Sequence, residues 1–487
     1  MTQGFNSKVF QATKWSSITE IIAKVLSPIT TMILARLLVP EMFGIMATIT
    51  IVISFAELFT DAGFQKYIIQ KEFKSKEDLI ESTNVAFLTN LFLSILLWGV
   101  IIVFRDSLSD LFGKNKLGTA ISIACVSLPL GAFSSIQMAL FTRDLDFKTL
   151  FKIRFVSLVI PLLITIPFAI VFRNYWALIV GTIALKLVNA IYFTYKSKWK
   201  PKLKYSVILL KQMLSFTSWT ILESIFIWLS NFVSIIIVSL KLDAYHIGLF
   251  QTSITLVVQI ITITVSAITP VLFSTLSRMQ NNDAEFKRLF LSFQSVIALI
   301  VIPLGIGLFS FRQFITLLLL GDQWGEAANF IGLLGLSNAF VIVYSNICSE
   351  VFRAKGKPQL SLVLQFTFLL FFIPSMIFAV NYGFIVLYIT HSVLKIILII
   401  VSLILMTYYF KISLFDMLKS TGVKIIVAGL MFVLSLLLRE VSASFYWNLL
   451  SIVVCVLFYF GVLFLIKGER TFLLKVKDLV KNAFISQ

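Results

Sequence analysis

Seven ionisable side chains fall inside runs of apolar sequence: Lys24, Lys186 and Lys395, and with them Glu20, Glu57, Asp61 and Glu223. A lysine at the centre of a membrane-spanning helix costs at least ~2.5 kcal/mol if it faces lipid. It is tolerable when its face looks into a bundle or a wet cavity. Three ammonium groups around such a cavity would bias it positive, and an amine pairs with phosphate as a point charge. The four carboxylates could neutralise the lysines while the site is empty, or carry coupling protons. The residues alone leave both roles open.

The spacing around these groups is helical. Ser17, Glu20, Lys24, Ser27 and Thr31 recur every three or four residues, as do Thr50, Ser54, Glu57 and Asp61, which puts each set on one face. Thr182, Lys186 and Asn189 share a face, and so do Glu223, Ser230 and Ser234, with Asn231 beside them. Tyr388, His391, Ser392, Lys395 and Ser402 make a further stripe. The expected lumen set is therefore Lys24, Lys186, Lys395, His391, Asn189 and Asn231, with Glu20, Glu57, Asp61 and Glu223 as coupling or charge-pair residues. Structural roles compete with this reading. Glu20 precedes Lys24 by four, the favourable order for an intrahelical pair. Hydroxyl stripes also join helices to one another. Arg36 and Arg143 lie near helix ends, where a long side chain reaches the interface at low cost.

The elements that must position these groups are spanning helices. Of 487 residues 59% are hydrophobic and 13% charged, and the mean hydropathy is +0.98, which excludes a soluble globular protein. Fourteen runs, the first starting near residue 15 and the last ending near 466, reach the ~20 apolar residues a span needs. The expected fold is an all-α polytopic membrane protein. The N-terminal stretch lacks the apolar core and cleavage site of a signal peptide, so the first helix is expected to stay. Cys125, Cys348 and Cys455 each lie in an apolar run, as small hydrophobes rather than metal ligands. No cofactor or metal is expected.

Charge supplies orientation. With the N-terminus in the cytosol, the inside segments carry 30 Lys and Arg and the outside segments 7. That bias favours an even number of spans with both termini inside. It also accounts for the net charge of +18 as topology plus attraction to anionic inner-leaflet lipid, rather than as nucleic-acid binding.

The chain repeats itself. A shift of 204 lays Trp15 on Trp219, Gly44 on Gly248 and Thr48 on Thr252; later, Gly113 meets Gly321 at 208 and Arg143 meets Arg353 at 210. Six spans recur as six spans in the same orientation, an arrangement of parallel repeats. The expected organisation is a lobe at 1–204 with spans one to six and a second at 205–410 with spans seven to twelve. Residues 411–487 add the last two spans and a basic cytosolic tail. The basic stretch Lys196–Lys211 joins the lobes.

Three short motifs carry a family resemblance. Ala35-Arg36-Leu37-Leu38-Val39-Pro40-Glu41-Met42-Phe43-Gly44 resembles the first-loop motif of Wzx-type polysaccharide (O-antigen and teichuronic acid) flippases of the multidrug/oligosaccharidyl-lipid/polysaccharide (MOP) superfamily. Leu140-Phe141-Thr142-Arg143-Asp144-Leu145-Asp146-Phe147-Lys148 resembles their loop after the fourth helix, and Ala354-Lys355-Gly356-Lys357-Pro358 the matching position in the second lobe. The resemblance implies a V-shaped, two-lobed transporter with a cationic lumen. It implies a cargo of undecaprenyl-pyrophosphate-linked oligosaccharide repeat units, flipped across the bacterial cytoplasmic membrane by alternating access, and polysaccharide polymerase machinery as a partner. Within the motifs, Glu41 and Gly44 read as the start of the second helix rather than as cargo contacts. A drug antiporter or lipid II flippase of the same superfamily is the alternative within transport. The cationic bias disfavours cationic drugs. A membrane-embedded glycosyltransferase or ligase would need catalytic groups gathered in a large outer loop, and the outer loops here are short.

Overall fold

In the computed structural model, residues 2–60, 62–113, 117–265 and 268–474 are described. Every regular element among them is helical. Fourteen helices are long and apolar enough to cross a membrane: α1 Ile18–Leu37, α2 Pro40–Thr60, α3 Lys76–Val103, α4 Gly118–Arg143, α5 Phe147–Phe172, α6 Trp176–Lys196, α7 Ser224–Lys241, α8 Ala244–Val265, α9 Asp283–Ser310, α10 Ala327–Ala354, α11 Gln359–Tyr382, α12 Phe384–Phe410, α13 Leu414–Val441 and α14 Phe445–Leu465. The chain is thus an all-α polytopic membrane protein. Helix α7 continues a longer helix that begins at Val207.

Local chemistry sets the ends and breaks. Ser75, Asp146, Asn282 and Ser444 each accept a backbone N–H at a helix start, and Ser413 with Asp416 forms a capping box for α13. Pro40 opens α2, where its missing N–H costs nothing, with Glu41 in the first turn. In α4, Pro129 has no N–H to answer the Cys125 carbonyl. Leu128 N–H takes it instead at 2.9 Å, and the helix tightens at Cys125–Val126. In α5, Pro161 opens a five-residue π-helical turn, closed by Ile166 N–H on the Pro161 carbonyl.

The chain forms two compact units, Met1–Gln251 and Thr252–Gln487. The first packing unit therefore runs past residue 204, because the long helix from Val207 packs on α2 and on a short helix, Ala62–Gln70. In each unit one span is the most enclosed: 61% of the most apolar stretch of α4 is buried, and 67% of that of α10. These two spans occupy corresponding places in the repeat.

The repeat is visible in local geometry. After α4, Leu145 adopts φ 58° while Leu145 N–H bonds Thr142 O and Asp146 N–H bonds Phe141 O. After α10, Gly356 adopts φ 68° while Gly356 N–H bonds Arg353 O and Lys357 N–H bonds Phe352 O. This is the same left-handed helix-ending turn twice. It matches at a shift of 211 rather than the 210 read from sequence, so Arg353 is not the structural counterpart of Arg143. Inside the first unit, Gly44 and Gly248 approach so closely that a Cβ on Gly44 would lie 1.8 Å from the Ala244 carbonyl oxygen. A Cβ on Gly248 would lie 1.8 Å from that of Pro40. Both pairs are one repeat of 204 apart, so the starts of α2 and α8 meet reciprocally, and only glycine fits at either position.

Candidate functional site

The first unit pairs two of the expected intramembrane charges. Lys186 Nζ, from α6, donates to Glu57 Oε1, from α2, at 2.8 Å. The side chains are 26% and 30% exposed. Helix α4 passes this ammonium with Gly131, whose absent Cβ would stand 3.7 Å from Nζ. Glu57 also lines a cleft of about 480 Å³ between α2, Ala62–Gln70 and α7, together with Ser54, Gln65, Lys66, Trp228 and Asn231. The Trp228 indole N–H donates to Ser54 Oγ at 2.9 Å and holds α7 against α2. The wall of this cleft thus carries a carboxylate, a lysine, two amides and an aromatic ring, with a lysine behind the carboxylate. Sequence reading missed Gln65, Lys66 and Trp228. The nine residues Ala62–Gln70 that carry Gln65 and Lys66 are too few to show a span in sequence.

Glu20 sits between two cations. Its Oε2 lies 3.9 Å from Lys24 Nζ, the i,i+4 pair, and its Oε1 lies 3.9 Å from Arg154 Nη2 of α5. Glu20, Arg154, Ser157 and Asn189 line a second cavity of about 540 Å³. Ser157 Oγ donates to Asn189 Oδ1 at 2.5 Å, so Asn189 joins α5 to α6 at that wall. The Asp61 residue and the Glu223 side chain lie outside the described residues.

In the second unit Lys395 stands at a break between two stretches of α12, Phe384–Val393 and Ile396–Phe410. Its Nζ donates to Asn338 Oδ1 of α10 at 2.8 Å. It lines a cavity of about 600 Å³ with Leu336, Phe340, Ile396, Ile399 and Leu403, and carries the only charge among the described residues of that lining. His391 does not line this cavity. It is 6% exposed and stands edge-on to Phe330 and Phe372, at 5.7 and 5.5 Å between ring centres, so it belongs to the aromatic packing of α10, α11 and α12. The reason is local: the helix breaks after Val393 and resumes at Ile396, so the stripe does not keep one face across the break. Ser402 likewise joins helices, with its hydroxyl 2.8 Å from that of Ser345.

A further buried charge was not expected. Lys424 lies within α13 and is 1% exposed. Its ammonium donates to both oxygens of Glu469 at 2.9 and 2.8 Å and stands 4.9 Å from the Phe472 ring centre. Helix α13 is tied along α9 at both ends, by Lys287 to Asp416 at 2.7 Å and by Arg439 Nη1 to the Ser310 carbonyl at 2.8 Å. These are bonds of assembly.

The motif residues are also structural. Arg143 Nη1 donates to the carbonyls of Ile68 and Lys71 at 2.7 Å, and of Ile69 at 3.3 Å. Its guanidinium lies 4.7 Å from the Phe73 ring centre. It therefore closes the C-terminus of Ala62–Gln70, where carbonyls lack partners. In the second unit Lys355 does the comparable work, donating to the Gln280 carbonyl and to Asp283 Oδ1 at 2.6 Å and standing 4.4 Å from the Phe286 ring centre. Arg36 is exposed in the last turn of α1, and Pro40 and Gly44 are buried. All three cysteines are buried thiols. Among the described residues no group of His, Cys, Asp and Glu could hold a metal ion.

Comparison with known proteins bears on the whole chain. Curated relatives include an uncharacterized membrane protein in the cps region of Klebsiella pneumoniae, 26% identical over 376 residues and covering 76% of each chain. The lipopolysaccharide biosynthesis protein WzxC of Escherichia coli K12 is 23% identical over 405 residues, 80% of each chain. The teichuronic acid biosynthesis protein TuaB of Bacillus subtilis 168 is 20% identical over 382 residues, 77% of each. Among solved structures, the lipid II flippase MurJ in an inward closed conformation matches with a TM-score of 0.73 at 14% identity, covering 93% of this chain and 99% of that one. An inward-facing multidrug resistance MATE family transporter of the MOP superfamily matches with a TM-score of 0.61 at 15% identity, covering 82% and 98%. These likenesses give the fold. A family model described as "Polysaccharide biosynthesis protein" matches residues 33–329, more than half of the sequence, and the chain belongs to that family.

Proposed function

We propose that this protein is a flippase. It carries an undecaprenyl-pyrophosphate-linked oligosaccharide repeat unit across the bacterial cytoplasmic membrane by alternating access of two lobes, spans one to six and seven to twelve. The observation that carries this reading is the Lys186–Glu57 pair, held across two spans beside a polar cleft. A cargo pyrophosphate is a stronger anion than one carboxylate, so it competes with Glu57 for the ammonium. The displaced Glu57 is then free to take a proton or to meet cargo hydroxyls from the cleft wall, alongside Asn231 and Gln65. Named relatives in lipopolysaccharide and teichuronic acid biosynthesis support the cargo class. Both termini face the cytosol in this reading, on the strength of the cation bias, and the flipped unit passes to polymerase machinery outside. The chemistry is transport, with no bond made or broken.

Deleting the gene should remove surface polysaccharide and leave lipid-linked repeat units stranded on the inner leaflet. Normal surface polymer in the deletion strain would overturn the proposal. A reporter fused after Lys204 should read cytosolic.

A further inference from the structure

Residues 196–206 look like a flexible tether in sequence, and the structure gives them a fixed course. Ser197 N–H closes α6 on the Phe193 carbonyl at 2.8 Å, and Ser197 Oγ donates to the Trp199 carbonyl at 3.0 Å. The Trp199 indole N–H and the Lys202 backbone N–H both donate to Asn84 Oδ1 of α3, at 3.1 and 3.3 Å. Asn84 is 1% exposed. The Trp199 ring packs edge-on to Phe87, 5.5 Å between centres, and the Tyr205 hydroxyl lies 3.1 Å from that of Thr89.

Anchoring one side exposes the other. Ser197 and Trp199 turn inward, while Lys196, Lys198, Lys200, Lys202 and Lys204 are all exposed at every second position. Lys200 folds back and donates to the Thr194 carbonyl at the end of α6. Leu203, among the lysines, is 94% exposed. The exposed apolar surface continues directly through Val207 and Ile208, at the start of the helix that leads into α7.

We propose that this ridge is a binding surface for the headgroups of anionic phospholipid in the surrounding bilayer. Charge complementarity favours a phosphate-bearing surface, since a juxtamembrane lysine row is attracted to anionic lipid within a Debye length. The run from Leu203 into Val207 and Ile208 sets the ridge at the edge of the hydrocarbon, the depth of headgroups, where lysine stems lie along apolar surface with their amines in the polar layer. A soluble acidic partner would match the lysines and leave Leu203 without a counterpart. The pinned backbone spares the entropy of ordering a loose loop on each encounter. The surface lies outside the cavities described above and does not depend on the cargo.

The test uses the full chain carrying Leu203→Cys, labelled with an environment-sensitive fluorophore; the native cysteines are buried. It is reconstituted into phosphatidylcholine bilayers with brominated lipid supplied either as phosphatidylglycerol or as phosphatidylcholine, at equal mole fraction. Brominated phosphatidylglycerol should quench at least about threefold more strongly, as a row of surface lysines requires. The preference should vanish at about 1 M salt, where the Debye length is about 3 Å. It should also vanish in the variant Lys198→Gln/Lys200→Gln/Lys202→Gln/Lys204→Gln. Equal quenching by the two lipids in the chain with all five lysines overturns the proposal. So does quenching by neither, which would put the ridge in water and open to an acidic soluble partner. The salt arm needs no lysine substitution, so misfolding of the variant would not block the answer.

Discussion

Lys186 and Lys395 occupy corresponding places, 209 residues apart on α6 and α12, and each faces the enclosed span of its own unit. Their surroundings differ. In the first unit α4 passes with glycine at 131, and the ammonium is answered by the Glu57 carboxylate from α2. In the second, α10 offers the neutral amide of Asn338, and the rest of the described lining is uncharged. A duplicated backbone thus holds one lysine on a carboxylate and one on a neutral amide. The pair is part-exposed, at 26% and 30%, so removing one partner leaves the other a path to water. A lysine on an amide has no carboxylate partner that its removal would orphan.

The largest effect is expected where the pair is broken. Lys186→Ala should abolish surface polysaccharide while leaving the protein in the membrane, because Glu57 is 30% exposed and water can solvate it once alone. Immunoblotting of membranes beside a polysaccharide stain checks both halves. The double change Glu57→Gln/Lys186→Met should match wild-type abundance and still fail to export. Export by the double variant would mean that the pair only holds helices together.

The second experiment makes the two sites alike. Asn338→Asp places a carboxylate beside Lys395, as Glu57 stands beside Lys186. Polymer output should fall severalfold with abundance unchanged, since a neutralised lysine attracts anionic cargo less. Unchanged output would show that the asymmetry is incidental. Lys395→Met should lower export less than Lys186→Ala. It should keep or raise protein level, because it removes a charge from an apolar cavity without orphaning a carboxylate.

How much of this was legible in sequence follows from range. The fourteen spans were legible because hydropathy is a local signal and a bilayer has a fixed thickness. That Lys186 and Lys395 need partners from another helix was legible, because no carboxylate lay within a turn of either. Which helix answered was not legible: Glu57 is 129 residues from Lys186 and Asn338 is 57 from Lys395. The ring packing around His391 was not legible, because no periodicity separates a wet face from an aromatic one. The burial of Lys424 was not legible because its partner Glu469 is 45 residues away and follows the next span.

The smallest effect sharpens the comparison at the two turns that end α4 and α10. Arg143 reaches three carbonyls at the end of Ala62–Gln70, whereas Lys355 reaches one carbonyl and one carboxylate. A planar guanidinium presents donors in a fixed fork, and an ammonium is a point charge on a flexible stem. Arg143→Lys should therefore leave part of the carbonyl fan unanswered and cost about 1 kcal/mol, the scale of a net hydrogen bond. That loss should appear as a melting midpoint about 1 °C lower in detergent. Lys355→Arg should cost less, because a guanidinium can still answer the Gln280 carbonyl and the exposed Asp283 carboxylate. If the two changes shift the midpoint equally, the turns are interchangeable, and the difference between the halves is confined to the lysines at their centres.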